Sequence, residues 1–325
     1  MSNASFYSVQ KLPTTSQDAI REFDARYIAS IGAGMPASWA DIGAYIPTNS
    51  PWTTYPVGAF ALAFQRSRGE QRFKKLASKS FDIKAEEFDE GYQAPLASLL
   101  TNDFAYSQWN QAPQRLVIAE ANLRNQELVA LIEAGESTAW IDGVNFFSAS
   151  HLSDITDPTS ATWSNYQSST KSVLSIANIT AEVIAMQSVK DENGKKLNVN
   201  PDTIMVPTET HQSLVNLLAK ELILDATGAV AESNPYVGKF NVIKVPEFTD
   251  ADDWYLLDSK LISQTGLPPW ITLKWQVPSG SALALRYWDE SSDFFKNTGE
   301  IKASAHVWMG NALGFPHGIR KVKGA

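Results

Sequence analysis

Residues 112–134 read APQRLVIAEANLRNQELVALIEA and form the strongest helical pattern in the chain. Pro113 suits the first turn of a helix, where its missing N–H costs nothing, and Gly135 is a natural stop. At about 1.5 Å per residue the helix would be roughly 33 Å long, so we expect it to be central to the fold. Its apolar residues follow one helical face: Val117, Ala121, Leu128 and Ile132.

Two segments with alternating residues lie upstream of this helix and predict a β-hairpin. In residues 59–64 Phe or Leu alternates with Ala, and in residues 81–86 apolar residues alternate with charged ones, a period typical of strands. A basic stretch separates the two segments, and an acidic run follows the second. The basic residues are Arg66, Arg68, Arg72, Lys74, Lys75 and Lys79, and the acidic residues are Glu86, Glu87, Asp89 and Glu90.

This charge distribution has two interpretations. The hairpin could be solvated on all sides, its charges serving solubility. Alternatively, it protrudes and its basic stretch docks on an acidic surface of a neighbouring copy, since complementary charges set the register of contacts between proteins. On the second interpretation the candidate inter-subunit contacts are Arg66, Arg68, Arg72, Lys74, Lys75, Lys79, Glu86 and Glu87.

The rest of the chain predicts an extended arm followed by mixed helices and strands. Residues 1–50 are rich in Ser, Thr, Pro and Gly and contain one amphipathic helix, residues 17–30, so this arm must pack against something else. A long strand at 300–309 alternates apolar and polar residues. Between them we expect helices at 180–188 and 208–219 and strands at 203–206, 240–245, 254–258 and 271–276.

Composition excludes several classes of protein. The chain has 325 residues, 44% hydrophobic, which is too apolar for disorder and enough for one large or two modest cores. No uninterrupted apolar run is long enough to span a membrane, and the first residues lack a signal-peptide pattern, so we expect no export. The absence of cysteine excludes disulfides and thiolate sites. A net charge of −8 disfavours direct DNA binding.

No motif predicts catalysis, a cofactor or a metal. The four histidines show no zinc-ligand spacing, so we treat them as separate. Asp142, His151 and Asp154 lie close in sequence but without a nucleophile motif such as G-x-S-x-G. No glycine-rich phosphate loop is present. The ten tryptophans are scattered, as core or interface residues are. The sequence therefore favours an assembly subunit over an enzyme.

Three ordered segments resemble the major head subunits of Mu-like phages. Residues 90–92 precede the long helix, residues 141–151 (IDGVNFFSASH) follow it, and residues 300–321 close the pattern with Gly-Phe-Pro at 314–316. The resemblance covers roughly residues 35–325. It implies an α+β, HK97-like capsid fold with an N-terminal arm (1–50), an extended hairpin loop (51–90), a peripheral domain (91–150 and 286–325) with residues 112–134 as its spine helix, and an axial α/β domain (151–285).

The resemblance also implies function and partners. The chain would self-assemble as pentamers and hexamers into an icosahedral phage head around double-stranded DNA, without sequence-specific binding. It would be built in the host bacterial cytoplasm with a separate scaffolding protein, a portal and a possible decoration protein. Some relatives cross-link a Lys to an Asn, but no partner Asn is identifiable, so the sequence makes no prediction about cross-linking. Three alternatives stay open: an encapsulin-like compartment shell, a hydrolase with a site near His151, and a Trp-rich carbohydrate-binding module.

Overall fold

The computed structural model describes residues 12–32, 38–57, 79–155, 157–191, 194–224, 231–261, 268–275 and 284–325. Short 3-10 turns occur at Trp39–Ile42 and Pro316–Gly318. The α-helices of these residues are α1 (Ser16–Gly32), α2 (Leu96–Thr101), α3 (Asp103–Ala134), α4 (Ile176–Gln187), α5 (Thr208–Ala219) and α6 (Asp293–Thr298).

The strands form two five-stranded sheets and three two-stranded pairs. In chain order they are β1 (Ala44–Thr48), β2 (Trp52–Val57), β3 (Lys79–Lys84), β4 (Glu86–Pro95), β5 (His151–Leu152), β6 (Thr162–Trp163), β7 (Tyr166–Gln167), β8 (Thr203–Val206), β9 (Leu222–Leu224), β10 (Ala231–Ser233), β11 (Asn241–Lys244), β12 (Trp254–Leu257), β13 (Trp270–Trp275), β14 (Ala284–Trp288), β15 (Glu300–Leu313) and β16 (Ile319–Val322).

The long helix α3 is present but starts earlier than the sequence pattern predicts. Its N-cap is Asn102, whose Oδ1 accepts hydrogen bonds from the backbone N–H groups of Phe104 and Ala105. Pro113 lies inside the helix rather than in its first turn, so the predicted start is wrong. The predicted end at Gly135 is confirmed. At 32 residues the helix is about 48 Å long.

The predicted arm helix is confirmed as α1 and packs along the N-terminal half of α3. Phe23 and Trp109 have ring centroids 5.0 Å apart, and the indole N–H of Trp109 donates to the carbonyl of Ala19 at 3.0 Å. All three residues are buried. Because the amphipathic face of α1 is covered by α3, this part of the arm packs against its own chain.

The first sheet is organised around β15. Along its N-terminal half, β15 pairs with β4 on one side and β14 on the other, and further along it pairs with β13, which is parallel to β1. The predicted alternation in this strand is confirmed, and the strand extends to Leu313. The buried residues that face α1 and α3 are Ile301, Ala303, Ala305, Val307 and Met309.

The hairpin is formed by β2 and β3, with Trp52 opposite Lys84 and Val57 opposite Lys79. The predicted strand at 81–86 is confirmed in β3, where Ile83 is buried. The predicted strand at 59–64 lies outside the described residues. Beyond β3 the chain runs directly into β4, so the hairpin and the first sheet are continuous.

The second sheet has the order β11, β8, β12, β16, β7, and its three central strands are buried on both faces. In β8, Ile204 and Val206 face α4 and α5, whereas Met205 faces the C-terminal half of α3. The helix predicted at 208–219 and the predicted strands of this region are confirmed, and the first predicted helix is α4. Because Leu116 of α3 packs on the first sheet and Leu128 on the second, α3 joins the two cores.

Candidate inter-subunit surface

The basic stretch of the hairpin falls mostly outside the described residues, which include Lys79 but not Arg66, Arg68, Arg72, Lys74 or Lys75. The ammonium group of Lys79, the first residue of β3, donates to the backbone carbonyl of Ile141 at 2.9 Å. This bond ties the far end of the β2–β3 ladder, where Lys79 lies opposite Val57, to the loop that follows α3.

The acidic run lies in the first half of β4. In the described part of the chain β4 pairs only with β15, so its outer edge carries no partner strand. Glu86, Asp89 and Glu90 are exposed, and none of them has a salt-bridge partner among the described residues. Glu87 differs, because its Oε1 lies 3.1 Å from His306 Nδ1 and 3.4 Å from Arg286.

A groove of about 550 Å³ separates β4 from α3. Its acidic lining consists of Glu87, Asp89, Glu90 and Glu120, and its apolar lining includes Leu116, Leu123, Ala305 and Val307. Glu120 is buried and pairs with Lys274, so it is neutralised within the chain. Burial, reinforced by the charge of Glu120, raises the pKa of Tyr27 at one end of the groove, so this hydroxyl stays neutral. The groove thus combines an apolar floor with exposed carboxylates along β4.

The loop after α3 is held by a buried polar and aromatic cluster. His151 Nδ1 lies 2.7 Å from Asp142 Oδ2, and its Nε2 lies 3.0 Å from the carbonyl of Phe146. The Trp163 ring stacks on His151, with ring centroids 4.8 Å apart, and makes a tilted contact with His317 at 4.5 Å. Burial, with the nearby His151, lowers the pKa of His317 to about 3.

This cluster corrects the treatment of the four histidines as separate, because His151 and His317 share one core around Trp163. Asp142 joins His151, whereas the backbone N–H of Asp154 bonds to Ser160 instead. The His151 side chain has no exposed surface. A substrate therefore has no access to it, and the geometry gives no support to the hydrolase alternative at this position.

Two buried ion-pair networks at the C-terminal strand escaped sequence reasoning. Glu182 of α4 accepts from Lys171 at 2.5 Å and from Arg320 at 2.6 Å. Burial alone would raise the pKa of Glu182, but these two cations outweigh it and hold the pKa below its ordinary value. Lys321 pairs with Glu136 and Asp253. Burial opposes its charge, yet Tyr255 and the two carboxylates raise the pKa of Lys321.

The described ranges contain no group of three or more His, Asp or Glu side chains arranged to hold a metal ion. None of their helices is long and apolar enough to cross a membrane.

Comparison with known families and structures identifies the fold. A family model described as Mu-like prophage major head subunit gpT matches residues 17–173, in agreement with the resemblance found in the sequence. No curated protein matches the chain. The procapsid of bacteriophage JBD30 is similar at a TM-score of 0.53 and 14% identity, covering 95% of this chain and 75% of that one.

Two other solved structures share the fold at comparable similarity. The capsid of cyanophage P-SCSP1u has a TM-score of 0.52 and 11% identity, covering 90% of this chain and 89% of that one. Microbacterium phage Oxtober96 has a TM-score of 0.52 and 10% identity, covering 90% and 92%. At these identities the likeness concerns the fold alone, and it confirms the predicted α+β, HK97-like capsid fold.

The decisive match is a family model described as phage capsid protein, which covers residues 98–307, well over half of the chain. The encapsulin-like alternative is not favoured by these matches. The role of the chain is structural, and the chain belongs to the phage capsid protein family.

Proposed function

We propose that this chain assembles with itself, as pentamers and hexamers, into an icosahedral phage head that encloses double-stranded DNA. Family membership over residues 98–307 is the observation that carries the proposal, and a fold shared with phage capsids over nearly the whole chain supports it. The role uses contact surfaces and no reaction. Small contact free energies suffice, because a closed shell repeats each contact by symmetry.

In this proposal the arm is residues 1–50, the extended loop 51–90, the peripheral domain 91–150 and 286–325, and the axial domain 151–285. The two cores support most of the division, since β15 belongs to the sheet that packs on α1 and α3, whereas β8 and β12 pack beneath α4 and α5. Strand β13 departs from it, because its residues fall in the axial range but pair with β15 in the first sheet. The C-terminal segment links both units, because β16 pairs with β12 of the second sheet.

Within the shell, the basic hairpin stretch of one copy docks along the acidic β4 edge of a neighbour. Charge complementarity supports this pairing, with Glu86, Asp89 and Glu90 exposed and without cationic partners in the described chain. Exposed ion pairs contribute only about 0–1 kcal/mol each and are screened by salt. The apolar floor of the groove therefore supplies attraction, and the charges set the register.

The test is to express the chain alone and follow assembly by size-exclusion chromatography with light scattering and by negative-stain microscopy. Reversing Arg72, Lys74 and Lys75 to Glu should reduce shell formation while circular dichroism stays unchanged. The matched control reverses three exposed lysines elsewhere, Lys190, Lys195 and Lys196, for the same change in net charge. Normal shells from the first variant would contradict the docking contact. A monomer at every salt and protein concentration would contradict self-assembly of the chain without a scaffolding protein.

The remaining partners are proposed on the same footing. Scaffolding, portal and possible decoration proteins would join the shell in the host bacterial cytoplasm. The packaged DNA would be enclosed without sequence-specific contacts. A net charge of −8 also disfavours tight binding to its phosphates. Shells that contain nucleic acid would support this proposal, and shells that contain only protein cargo would contradict it.

A further inference from the structure

The face of the first sheet that points away from α3 carries a hollow of about 520 Å³, and Ser304 is among the residues that line it. On β15, Ser304 lies between Lys302 and His306, which share its face because side chains alternate along a strand. Across the sheet, Ser304 is opposite Gly91 of β4 and Arg286 of β14. A Cβ at position 91 would come within 2.9 Å of Ser304 Cβ. Glycine thus leaves the space over Ser304 open.

Three side chains at the edge of this hollow form a continuous hydrogen-bonded relay. Ser304 Oγ lies 2.7 Å from His306 Nε2, and His306 Nδ1 lies 3.1 Å from Glu87 Oε1. An ionised carboxylate only accepts hydrogen bonds, so the ring donates from Nδ1 to Glu87. In the neutral imidazole Nε2 is then the acceptor, and the Ser304 hydroxyl donates to it. This is the order in which a serine nucleophile, a base and an orienting carboxylate act.

The surroundings hold this geometry in place. The His306 side chain is only 7% exposed, so its ring has little freedom to rotate. The same Oε1 of Glu87 also accepts a hydrogen bond from the guanidinium of Arg286, at 3.4 Å. Ser304 is half-buried and lines the hollow, so its hydroxyl is accessible from solvent through it.

We propose that Ser304 is a nucleophile for acyl transfer from small carboxylic esters, with His306 as general base and Glu87 as a positioning residue. As Ser304 Oγ bonds to the ester carbonyl carbon, its proton passes to His306 Nε2. The carbon–oxygen bond to the leaving group then breaks, and the departing oxygen takes that proton. Water next attacks the acyl-Ser304 ester, gives a proton to His306, and releases a carboxylic acid while Ser304 regains its hydrogen.

The lining of the hollow indicates which esters fit. Trp288 provides an aromatic wall. Arg286, which is 57% exposed and also contacts Glu87, is the cation that can meet the negative charge developing on the carbonyl oxygen. Lys302 is less available, because its ammonium lies 3.4 Å over the Phe294 ring. The volume suits a short acyl chain with an aromatic leaving group. This activity does not depend on the proposed shell role.

The test uses the full-length protein with two probes, a fluorophosphonate that phosphonylates activated serines and para-nitrophenyl acetate. Intact mass and peptide mapping should place one phosphonyl group on Ser304. Ser304→Ala should abolish labelling, and His306→Gln should slow labelling and ester hydrolysis by about 100-fold or more, as loss of a general base does. The matched control, Ser169→Ala, removes an exposed serine outside the relay and should leave both rates unchanged.

The Glu87→Gln variant distinguishes a positioning role from a merely structural one through the pH dependence of labelling. Removing a carboxylate beside an imidazole destabilises the imidazolium, so the midpoint of the pH profile for labelling should move to lower pH. The charged groups facing His306 are Glu87 and Asp89 on β4, Arg286 on β14 and Lys302 on β15. No labelling of the wild type, or labelling that persists in Ser304→Ala, overturns the proposal. An unmoved pH midpoint in Glu87→Gln removes the positioning role.

Discussion

Replacing Glu182 by Gln removes a buried negative charge on which two cations depend. The carboxylate is 1% exposed and bonds Arg320, itself 6% exposed, and Lys171, which is 26% exposed. Because Gln has nearly the same shape, the substitution opens no cavity, and its effect isolates the charge. The contact links α4 to β16, so its loss should destabilise the second sheet.

The structure sets the expected magnitude. Breaking a buried pair by removing one partner costs about 3–5 kcal/mol, because a charge is left uncompensated. Lys171 retains some contact with water, and the Gln carbonyl can still accept one hydrogen bond, so we expect a loss near the lower end, about 3 kcal/mol. The measurement is the free energy of unfolding from urea titrations followed by circular dichroism and tryptophan fluorescence.

The matched control is Glu22→Gln, which breaks a surface pair with Arg26 whose side chains are 42% and 41% exposed. It should change the free energy of unfolding by no more than about 0.5 kcal/mol. Combining Glu182→Gln with Arg320→Met should recover part of the loss, since the uncompensated cation is then gone. A Glu182→Gln variant as stable as the Glu22→Gln control would refute the reasoning.

Three further predictions concern acid stability, a close backbone approach and a helix cap. Because the pKa of Glu182 lies below its ordinary value of 4.5, its stabilisation is present above that value and lost as pH falls. The free energy of unfolding should therefore drop more steeply in the wild type than in Glu182→Gln from about pH 5 to about pH 3, measured by urea titration. Gly310→Ala would place a Cβ only 2.4 Å from the carbonyl oxygen of Lys84. The substitution should therefore lower the free energy of unfolding by about 1–3 kcal/mol, and an unchanged melting temperature would contradict this. Asn102→Ala removes the N-cap of α3 and should lower the free energy of unfolding by about 1 kcal/mol, measured by urea titration.

The helices and strands with one buried face were predictable from sequence, but the residues at which they begin and end were not. The alternation in β15 reports burial directly, because every second residue faces α3. The start of α3 was missed because Pro113 usually marks a first turn. The actual helix continues upstream, where Trp109 packs on Ala19 and Phe23 of α1. That contact joins residues distant in sequence, so no local pattern contains it.

The polar sites were less predictable, for the same reason. Ser304 and His306 were visible only as the outer face of a strand, because Glu87 joins them through the register of β4 on β15. His151 and His317 meet only because Trp163 lies between them. The acidic run in β4 was evident from composition. Its position along a groove required the placement of α3 over the sheet.

The placement of β15 also orders events during folding. β4 and β15 are separated by most of the chain, so their pairing pays a large loop-closure entropy and should form late. Ala305 and Val307 of β15 line the groove beside β4. Until β15 pairs with β4, the apolar floor of that groove is incomplete. A partly folded copy therefore lacks the full docking surface for a neighbour. Only a subunit in which β15 has paired with β4 therefore presents the complete groove, so folding precedes contact with a neighbouring copy.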